Sequence, residues 1–368
     1  TDNTSLFNMA MSGGSARKEK DQAEKEIAER RIFNKVWTEY PLDTDSVDAL
    51  NSVFADDSLP SYFKEFLVSA LLLGGLEYYE ETRLMILLEI YSSARSVLAL
   101  KALCAAVLIM YRYRMRPVSA RLSSRIATLR DTCHWERDLK AVFLQLIRTR
   151  DTEKINRKVR DELMPQMLKL RPDLYRKIND TTAVIDLSEM EENPEWQELL
   201  ENSGLADKMK ELSQIQEDGG DVLMSTFSHL KTFPFFNELS NWFMPFHIDH
   251  SAVSESLGGG DTIGELIAST PFLCNSDKYS FILSLHQIPE VQRTMMISQF
   301  DEQNINLAAI QSSELSADDK FRDNVVNKYI QDLYRFYRLF RRKGEFSDPF
   351  ASPVNLTQVP LLAPDLTD

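Results

Sequence analysis

Two histidines stand three residues apart in the segment His247-Ile-Asp-His250, which is the best candidate for metal binding in the chain. On a helix, two imidazoles at this spacing share a face, and Asp249 could add an oxygen ligand. A zinc site needs at least three protein ligands, however, and no Glu-x-x-His or His-Glu-x-x-His motif accompanies the pair. The pattern therefore predicts a packing role for these histidines, and no residue is assigned to a metal, a cofactor or catalysis.

Other groups that could do chemistry fall in the same interval, residues 229–261, and include His229 and Asp261. Together with the histidine pair they support an alternative hypothesis, an enzyme of an unfamiliar helical class. That hypothesis requires three or more of these groups to meet in a cleft, within hydrogen-bond or metal reach of one another. Their dispersal would favour a non-enzymatic protein.

Three consecutive glycines at 258–260 precede Asp261 and a predicted helix that begins at Thr262. A glycine-rich turn before a helix can bind phosphate through backbone N–H groups. Here no Gly-Lys-Ser/Thr follows, no clear strand precedes, and the Asp261 carboxylate would repel phosphate. We therefore expect a flexible loop, with Asp261 as the N-cap of the helix.

The cysteines Cys104, Cys133 and Cys274 are few, odd in number and far apart. Such a set predicts neither a disulfide framework nor a zinc site, and it fits a reducing, cytoplasmic compartment. Cys104 lies in an apolar run and is expected to be buried and inert. The two most apolar runs, 66–76 and 97–111, are shorter than the ~20 residues of a membrane span, so no span is expected. No secretory signal is visible at the N-terminus.

Charge is separated along the chain, which has 42 Lys and Arg, 56 Asp and Glu, and a net charge of −14. Residues 112–177 hold 18 basic and 8 acidic side chains, whereas residues 186–221 hold 2 and 12. The acidic segment could dock on the basic helices, or the basic face could meet nucleic acid or an acidic partner. The simplest interpretation is that both are solvated helix faces. The overall negative charge disfavours nucleic acid, so the expected partner is another protein of unknown identity.

Apolar residues recur with the period of a helix along most of the chain, which predicts an all-α fold. Residues 17–178 are predicted to form an antiparallel helix array, with a helix break at Gly74-Gly75. Residues 190–345 are predicted to form a more irregular helical module, with an acidic start and an aromatic-rich centre. Residues 346–368 are expected to be an extended tail, and only residues 183–187 look like a strand.

Lys101 interrupts the longest apolar helix, so its amine is expected to reach an edge or to meet a carboxylate. Its neighbours on that helix are expected to be buried, and they are Leu98, Leu100, Leu103, Cys104 and Val107.

Two segments carry a resemblance to known helical proteins. EETRLMILLEIYSSARSVLALKALCAAVLIM, residues 80–110, resembles consecutive helices of an α-solenoid of the HEAT or armadillo kind. NKYIQDLYRFYRLFRRKGEF, residues 327–346, resembles a segment of large bacterial helical-repeat proteins, where it lies between an N-terminal helical region and an array of tetratricopeptide repeats. The signature residues of those repeats do not recur in this chain. The resemblance implies a scaffold and brings no catalytic residues with it.

Aromatic and basic residues alternate in the second of these segments, a combination that can stack on nucleotides. The simpler account is a helix with one buried stripe and solvated arginines, the stripe being Ile330, Leu333, Tyr334, Tyr337 and Phe340. The leading functional hypothesis is therefore a non-enzymatic helical scaffold that mediates protein–protein interaction.

Overall fold

The computed structural model describes residues 2–93, 96–132, 134–163, 205–257, 261–285 and 317–366. All regular structure in these ranges is helical and none of it is strand, which confirms the predicted all-α fold. No helix within these ranges is long and apolar enough to cross a membrane. The predicted strand at 183–187 lies outside the described residues.

Eight helices lie in the first half of the described chain: α1 Asp2–Thr38, α2 Thr44–Ala55, α3 Ser61–Glu77, α4 Glu81–Ser92, α5 Val97–Arg112, α6 Ala120–Thr132, α7 Trp135–Arg148 and α8 Thr152–Lys158. The helices described beyond them are α9 Leu205–Glu217, α10 Met224–Phe227, α11 Ser251–Leu257, α12 Asp261–Ser269, α13 Asn275–Leu285 and α14 Ala317–Leu339. Short 3₁₀ turns follow α10, at Ser228–Thr232, Pro234–Asn237 and Ser240–Trp242.

Side-chain caps mark where two of these helices begin. Asp43 precedes α2 and its side chain accepts the backbone N–H of Ser46 at 2.7 Å. Ser96 does the same for α5 by accepting the N–H of Ala99 at 3.2 Å. Each cap satisfies a donor that the first turn of a helix leaves without an intrahelical partner.

The break expected at Gly74-Gly75 is wrong, because α3 runs through both glycines to Glu77. A Cβ atom at Gly74 would lie 2.7 Å from the carbonyl oxygen of Trp37, and one at Gly75 would lie 2.4 Å from Cδ1 of Ile109. Because they lack a Cβ atom, the two glycines allow α3 to pack closely against α1 and α5. Helix packing overrides their weak helix propensity here.

The interior of the helix array is built by α3, α4 and α5, which pack against one another. Cys104 is fully buried there, as expected, and Leu98 is only partly buried, contrary to expectation. The Nζ atom of Lys101 lies 2.8 Å from Oε2 of Glu65, which confirms that its amine meets a carboxylate. The other predicted neighbours of Lys101 are buried: Leu100, Leu103 and Val107.

One continuous hydrophobic core joins the array to the later part of the chain. Helix α14 packs against both α5 and α7, and its predicted stripe is buried throughout. Arg335 on the same helix is only 1% exposed, so the expectation that its arginines are solvated is wrong for this one. The predicted division near residues 178–193 lies outside the described residues and stays a prediction.

The segment after α14 has an irregular backbone but contributes to this core. Its buried side chains are Phe350, Val354, Leu356, Val359 and Leu362. Asp365 fixes its end, because the carboxylate accepts the Nε1–H of Trp135 at 2.9 Å and pairs with Arg130 at 2.7 Å. The segment thus packs across helices formed much earlier in the chain.

Candidate functional site

The groups of interval 229–261 are mostly separate in the structure. His229 and Asp249 are exposed, on different turns. Asp261 is the first residue of α12 rather than a residue before it, and glycines 258–260 lie outside the described residues. Among the side chains of this set that the structure describes, His247 and His250 are in contact, with their ring centroids 5.4 Å apart.

His247 stacks on Tyr62 of α3, with ring centroids 4.1 Å apart and ring planes at 17°. Both of its ring nitrogens are buried, and neither has a hydrogen-bond partner in the part of the chain that the structure describes. Burial, reinforced by the neighbouring His250, lowers the pKa of His247 to about 4. The imidazole is therefore neutral at physiological pH and packs as an aromatic ring.

Two glutamates of α1 complete this histidine–glutamate cluster, defined as Glu26, Glu29, Tyr62, His247 and His250. Glu26 accepts the backbone N–H of Ser251 at 2.8 Å and its hydroxyl at 2.6 Å, which ties α1 to the start of α11. Glu29 accepts the hydroxyl of Tyr62 at 2.8 Å, and burial raises the pKa of this carboxyl group.

The contacts of the cluster join α1 and α3 to the start of α11. Among the described residues, no group of three His, Cys, Asp or Glu side chains could hold a metal ion. The two histidines are neighbours, but in a turn that precedes α11 and not on one helix face, as their spacing had been interpreted. The spacing gave no sign of their contacts with α1 and α3, which lie some two hundred residues earlier.

A second cluster, missed from the sequence, is a buried ionic network of Asp221, Lys231, Asp277 and Arg335. Arg335 pairs with Asp221 at 2.6 Å and with Asp277 at 2.8 Å, and Lys231 pairs with Asp277 at 2.9 Å. Burial favours the protonated acid, yet Arg335 and Lys231 hold the pKa of Asp277 below its ordinary value. Two cations match two anions, so the network is neutral and positions the elements that carry it.

The third cluster lies on the surface, at the turn between α5 and α6. We call it the arginine–tyrosine surface, and it comprises Tyr40, Tyr78, Tyr79 and residues 111–116. The guanidinium carbon of Arg114 lies 4.5 Å from the ring centroid of Tyr111, and that of Arg116 lies 4.5 Å from that of Tyr79. Such cation–π stacking orients a guanidinium group without neutralising it.

Large side chains of the arginine–tyrosine surface are unusually exposed. Met115 is 89% exposed, Tyr78 60% and Tyr40 53%. The rings of Tyr40 and Tyr78 stack with centroids 4.8 Å apart, and Tyr79 meets Tyr113 edge-on at 5.3 Å. Two ring pairs, one of them next to Arg116, thus lie at adjacent positions of the chain, Tyr78 and Tyr79.

A small depression opens beside the turn, with about 30 Å³ of free volume. Its wall includes Leu84, Met110 and Leu122, and the side chains of Arg114 and Arg116 also line it. Residues 359–361 of the C-terminal segment close another side. The depression is large enough for one small apolar group.

Two of the three arginines on the next helix pair with carboxylates, and those of this turn pair with none that the structure describes. Arg125 pairs with Glu89 at 2.6 Å, and Arg130 pairs with Asp365. Arg112, Arg114 and Arg116 form no ion pair with any residue in the described part of the chain. These three positive charges remain available to a partner.

The acidic segment of the sequence touches the basic helices at its described end. Lys158 of α8 pairs with Glu211 of α9. Leu212 and Ile215 of α9 pack on a small apolar cluster that includes Ile155. Residues 186–204 of the acidic segment lie outside the described residues.

No family model matches the chain, and neither a curated protein nor a solved structure matches it significantly. Its function is therefore inferred from its own geometry.

Proposed function

We propose that the protein is a non-enzymatic helical scaffold that binds another protein, and that the arginine–tyrosine surface is its docking site. The observation that carries the proposal is Met115, which is 89% exposed in a turn that contacts Tyr79 through Tyr113 and Arg116, while the adjacent Tyr78 and its stacking partner Tyr40 are also exposed. Contiguous exposed apolar groups on a folded protein mark interaction sites. Tyr, Met and Arg are also the residue types enriched at protein–protein interfaces.

The surface is held by the fold beneath it, which supports a binding role. The hydroxyl of Tyr113 donates to the carbonyl oxygen of Leu76 at 3.0 Å, and that of Tyr111 donates to the carbonyl oxygen of Pro353 at 3.4 Å. Side chains fixed in advance lose little conformational entropy when a partner binds. The array of α3, α4 and α5 provides a rigid base of the kind that an α-solenoid would supply.

The enzyme hypothesis receives less support. Of its five groups, two approach each other, and their role is to stack and to join helices. A reaction centre would need a nucleophile, base or metal facing a cleft that admits a substrate. The free thiols of Cys104 and Cys274 are buried, which fits a packing role in a reducing compartment such as the cytoplasm.

Site-specific photocrosslinking in a lysate of the source cells tests this proposal. A benzophenone amino acid replaces Met115 in one protein and Leu144, a 48% exposed residue of α7, in a matched control. We expect a discrete protein adduct from position 115 alone. Unlabelled wild-type protein should compete for it, and the M115D variant should compete poorly.

Equal adducts from both positions, or no adduct above background at position 115, would contradict the proposal. Competition by M115D as strong as that by wild type would also contradict it, because the partner would then dock elsewhere.

A further inference from the structure

We infer that the arginine–tyrosine surface recognises an acidic segment of the partner protein, with its carboxylates paired to Arg112, Arg114 and Arg116 and a small apolar side chain in the adjoining depression. This inference rests on the proposed function and specifies the chemistry of the partner.

The geometry of the arginines suits carboxylates. Arg114 and Arg116 each lie over a tyrosine ring, and Arg114 also donates from Nη1 to the carbonyl oxygen of Tyr111 at 3.1 Å. A stacked guanidinium group keeps its outer N–H groups in one plane, where they can donate to a carboxylate in pairs. Because these side chains are already ordered, pairing with them costs less entropy than pairing with freely rotating ones.

The charges around the turn leave an excess of positive charge. Glu77 is near the turn, but its carboxylate accepts the N–H of Ser347 at 2.7 Å and the hydroxyl of Ser347 at 3.1 Å. Glu81 lies close enough to influence Tyr79, yet it forms no ion pair with Arg116 within the described residues. A chain with a net charge of −14 thus presents a local positive patch, which acidic segments complement.

The depression indicates that the partner segment should also carry an apolar side chain. Leu84, Met110 and Leu122 line it beside Arg114 and Arg116, so an apolar group there would be flanked by cations. A segment with a small apolar residue between acidic ones satisfies both features. Apolar groups that fill a pocket commonly anchor such interfaces.

Nucleic acid fits the same surface less well. The rings of Tyr79 and Tyr111 are already covered by guanidinium groups, and Tyr40 and Tyr78 stack on each other. Bases would have to displace these contacts in order to stack. A nucleic acid longer than the three arginines would also meet the rest of a chain that is acidic overall, which would repel its phosphates.

Fluorescence anisotropy with defined probes tests the inference. The probes are a labelled peptide Asp-Glu-Val-Glu-Asp, its analogue with Asn and Gln in place of the acids, and single-stranded oligothymidine of twelve nucleotides. The proteins are wild type, the double variant Arg112→Glu/Arg116→Glu, and the control Arg137→Glu/Lys154→Glu. All four mutated residues are exposed, and both variants change the net charge equally.

We expect the acidic peptide to bind wild type and the control within about twofold of each other. Its affinity for Arg112→Glu/Arg116→Glu should fall about tenfold or more, and the binding should weaken as salt is raised. Circular dichroism should show the same fold for all three proteins, because the substitutions lie on the surface.

Several results would overturn the inference. One is that the acidic peptide shows no saturable binding to wild type at 1 mM. Another is that the neutral peptide binds as tightly as the acidic one. A third is that the two double variants lose affinity for the acidic peptide to the same extent. Tighter binding of oligothymidine through the same arginines would assign the surface to nucleic acid instead. If the partner crosslinked at position 115 binds Arg112→Glu/Arg116→Glu as well as wild type, the acidic partner is wrong while the protein-binding function survives.

Discussion

The interior of the α3–α5 array and the interior around Arg335 differ in how much charge they enclose. In the array, fully buried positions are mostly aliphatic, as at Leu72, Leu87 and Leu103. The array also buries Arg83 of α4, which pairs with Glu80 at 2.8 Å, but within this mostly aliphatic interior. Around Arg335, three further charged side chains are enclosed with it, and aromatic rings fill the space beside them. Both interiors belong to one continuous core.

The lengths of the elements explain this difference. Helices α3 and α5 have 17 and 16 residues, long enough for a wide apolar face to fix how they pack. The elements between 224 and 285 have at most 11 residues, and isolated helices of that length are marginal in water. We conclude that paired charges with several partners specify the positions of the short elements, as the link from Asp221 to α14 illustrates.

Replacing Arg335 by Met should have the largest effect on stability. The change removes one of the two cations paired with the buried Asp221 and Asp277, and breaking a buried ion pair from one side costs about 3–5 kcal/mol. Denaturant unfolding measures the loss, and Arg341→Met, at an exposed position, is the matched control. A decrease in the free energy of unfolding below about 1 kcal/mol would show that the ionic network does not stabilise the interior around Arg335.

In the aliphatic interior, Leu103→Ala should cost about 2–5 kcal/mol, because it leaves a cavity at a fully buried site. The same unfolding experiment measures it, with the exposed Leu144→Ala as the control. Comparable losses at the two leucines would mean that α5 is packed less tightly than its burial indicates.

The histidine–glutamate cluster predicts a moderate dependence on pH. The pKa of His247 is lowered from 6.5 to about 4, so the unfolded chain binds more protons between these values and stability falls as the pH drops. From pH 7 to pH 5 the loss should be about 1–2 kcal/mol after allowance for partial exposure. Glu29, whose pKa is raised, acts in the opposite sense.

The variant His247→Phe keeps the stacking on Tyr62 and removes the titration. Thermal melts at pH 7 and pH 5 should therefore show a smaller difference for this variant than for wild type. An equal difference would place the pH dependence in other groups, such as His250 or Glu26.

Lys101→Met should have the smallest effect, within about 1 kcal/mol of wild type. The Glu65 side chain is 13% exposed, so water can reach it when its partner is removed, unlike Asp277, which is 1% exposed. The methionine side chain also keeps the apolar burial of the lysine stem. Thermal melting measures the change. A loss as large as that of Leu103→Ala would indicate that α3 and α5 depend on this ion pair for their alignment.

The sequence predicted the helices well because helical periodicity and capping are local. It failed at Gly74-Gly75, where the reason for glycine is the proximity of Trp37 and Ile109, distant in the chain. It also failed at Arg335, whose partners at Asp221 and Asp277 come from two other elements. The spacing of His247 and His250 suggested one helix face, whereas they lie in a turn and are surrounded by residues of α1 and α3. Tertiary contacts of this kind leave no periodic signal.

During synthesis, the turn after α5 is made well before the C-terminal segment that packs beside it. Tyr111 and its partner Pro353 are separated by 242 residues, and residues 359–361 line the depression beside Arg114. At about 5–20 residues per second, a ribosome needs roughly 12–50 s to cover that separation. During this interval Tyr111 has been synthesised but its hydrogen-bond acceptor, the carbonyl oxygen of Pro353, has not. A partner that requires the finished depression would thus distinguish mature molecules from nascent ones.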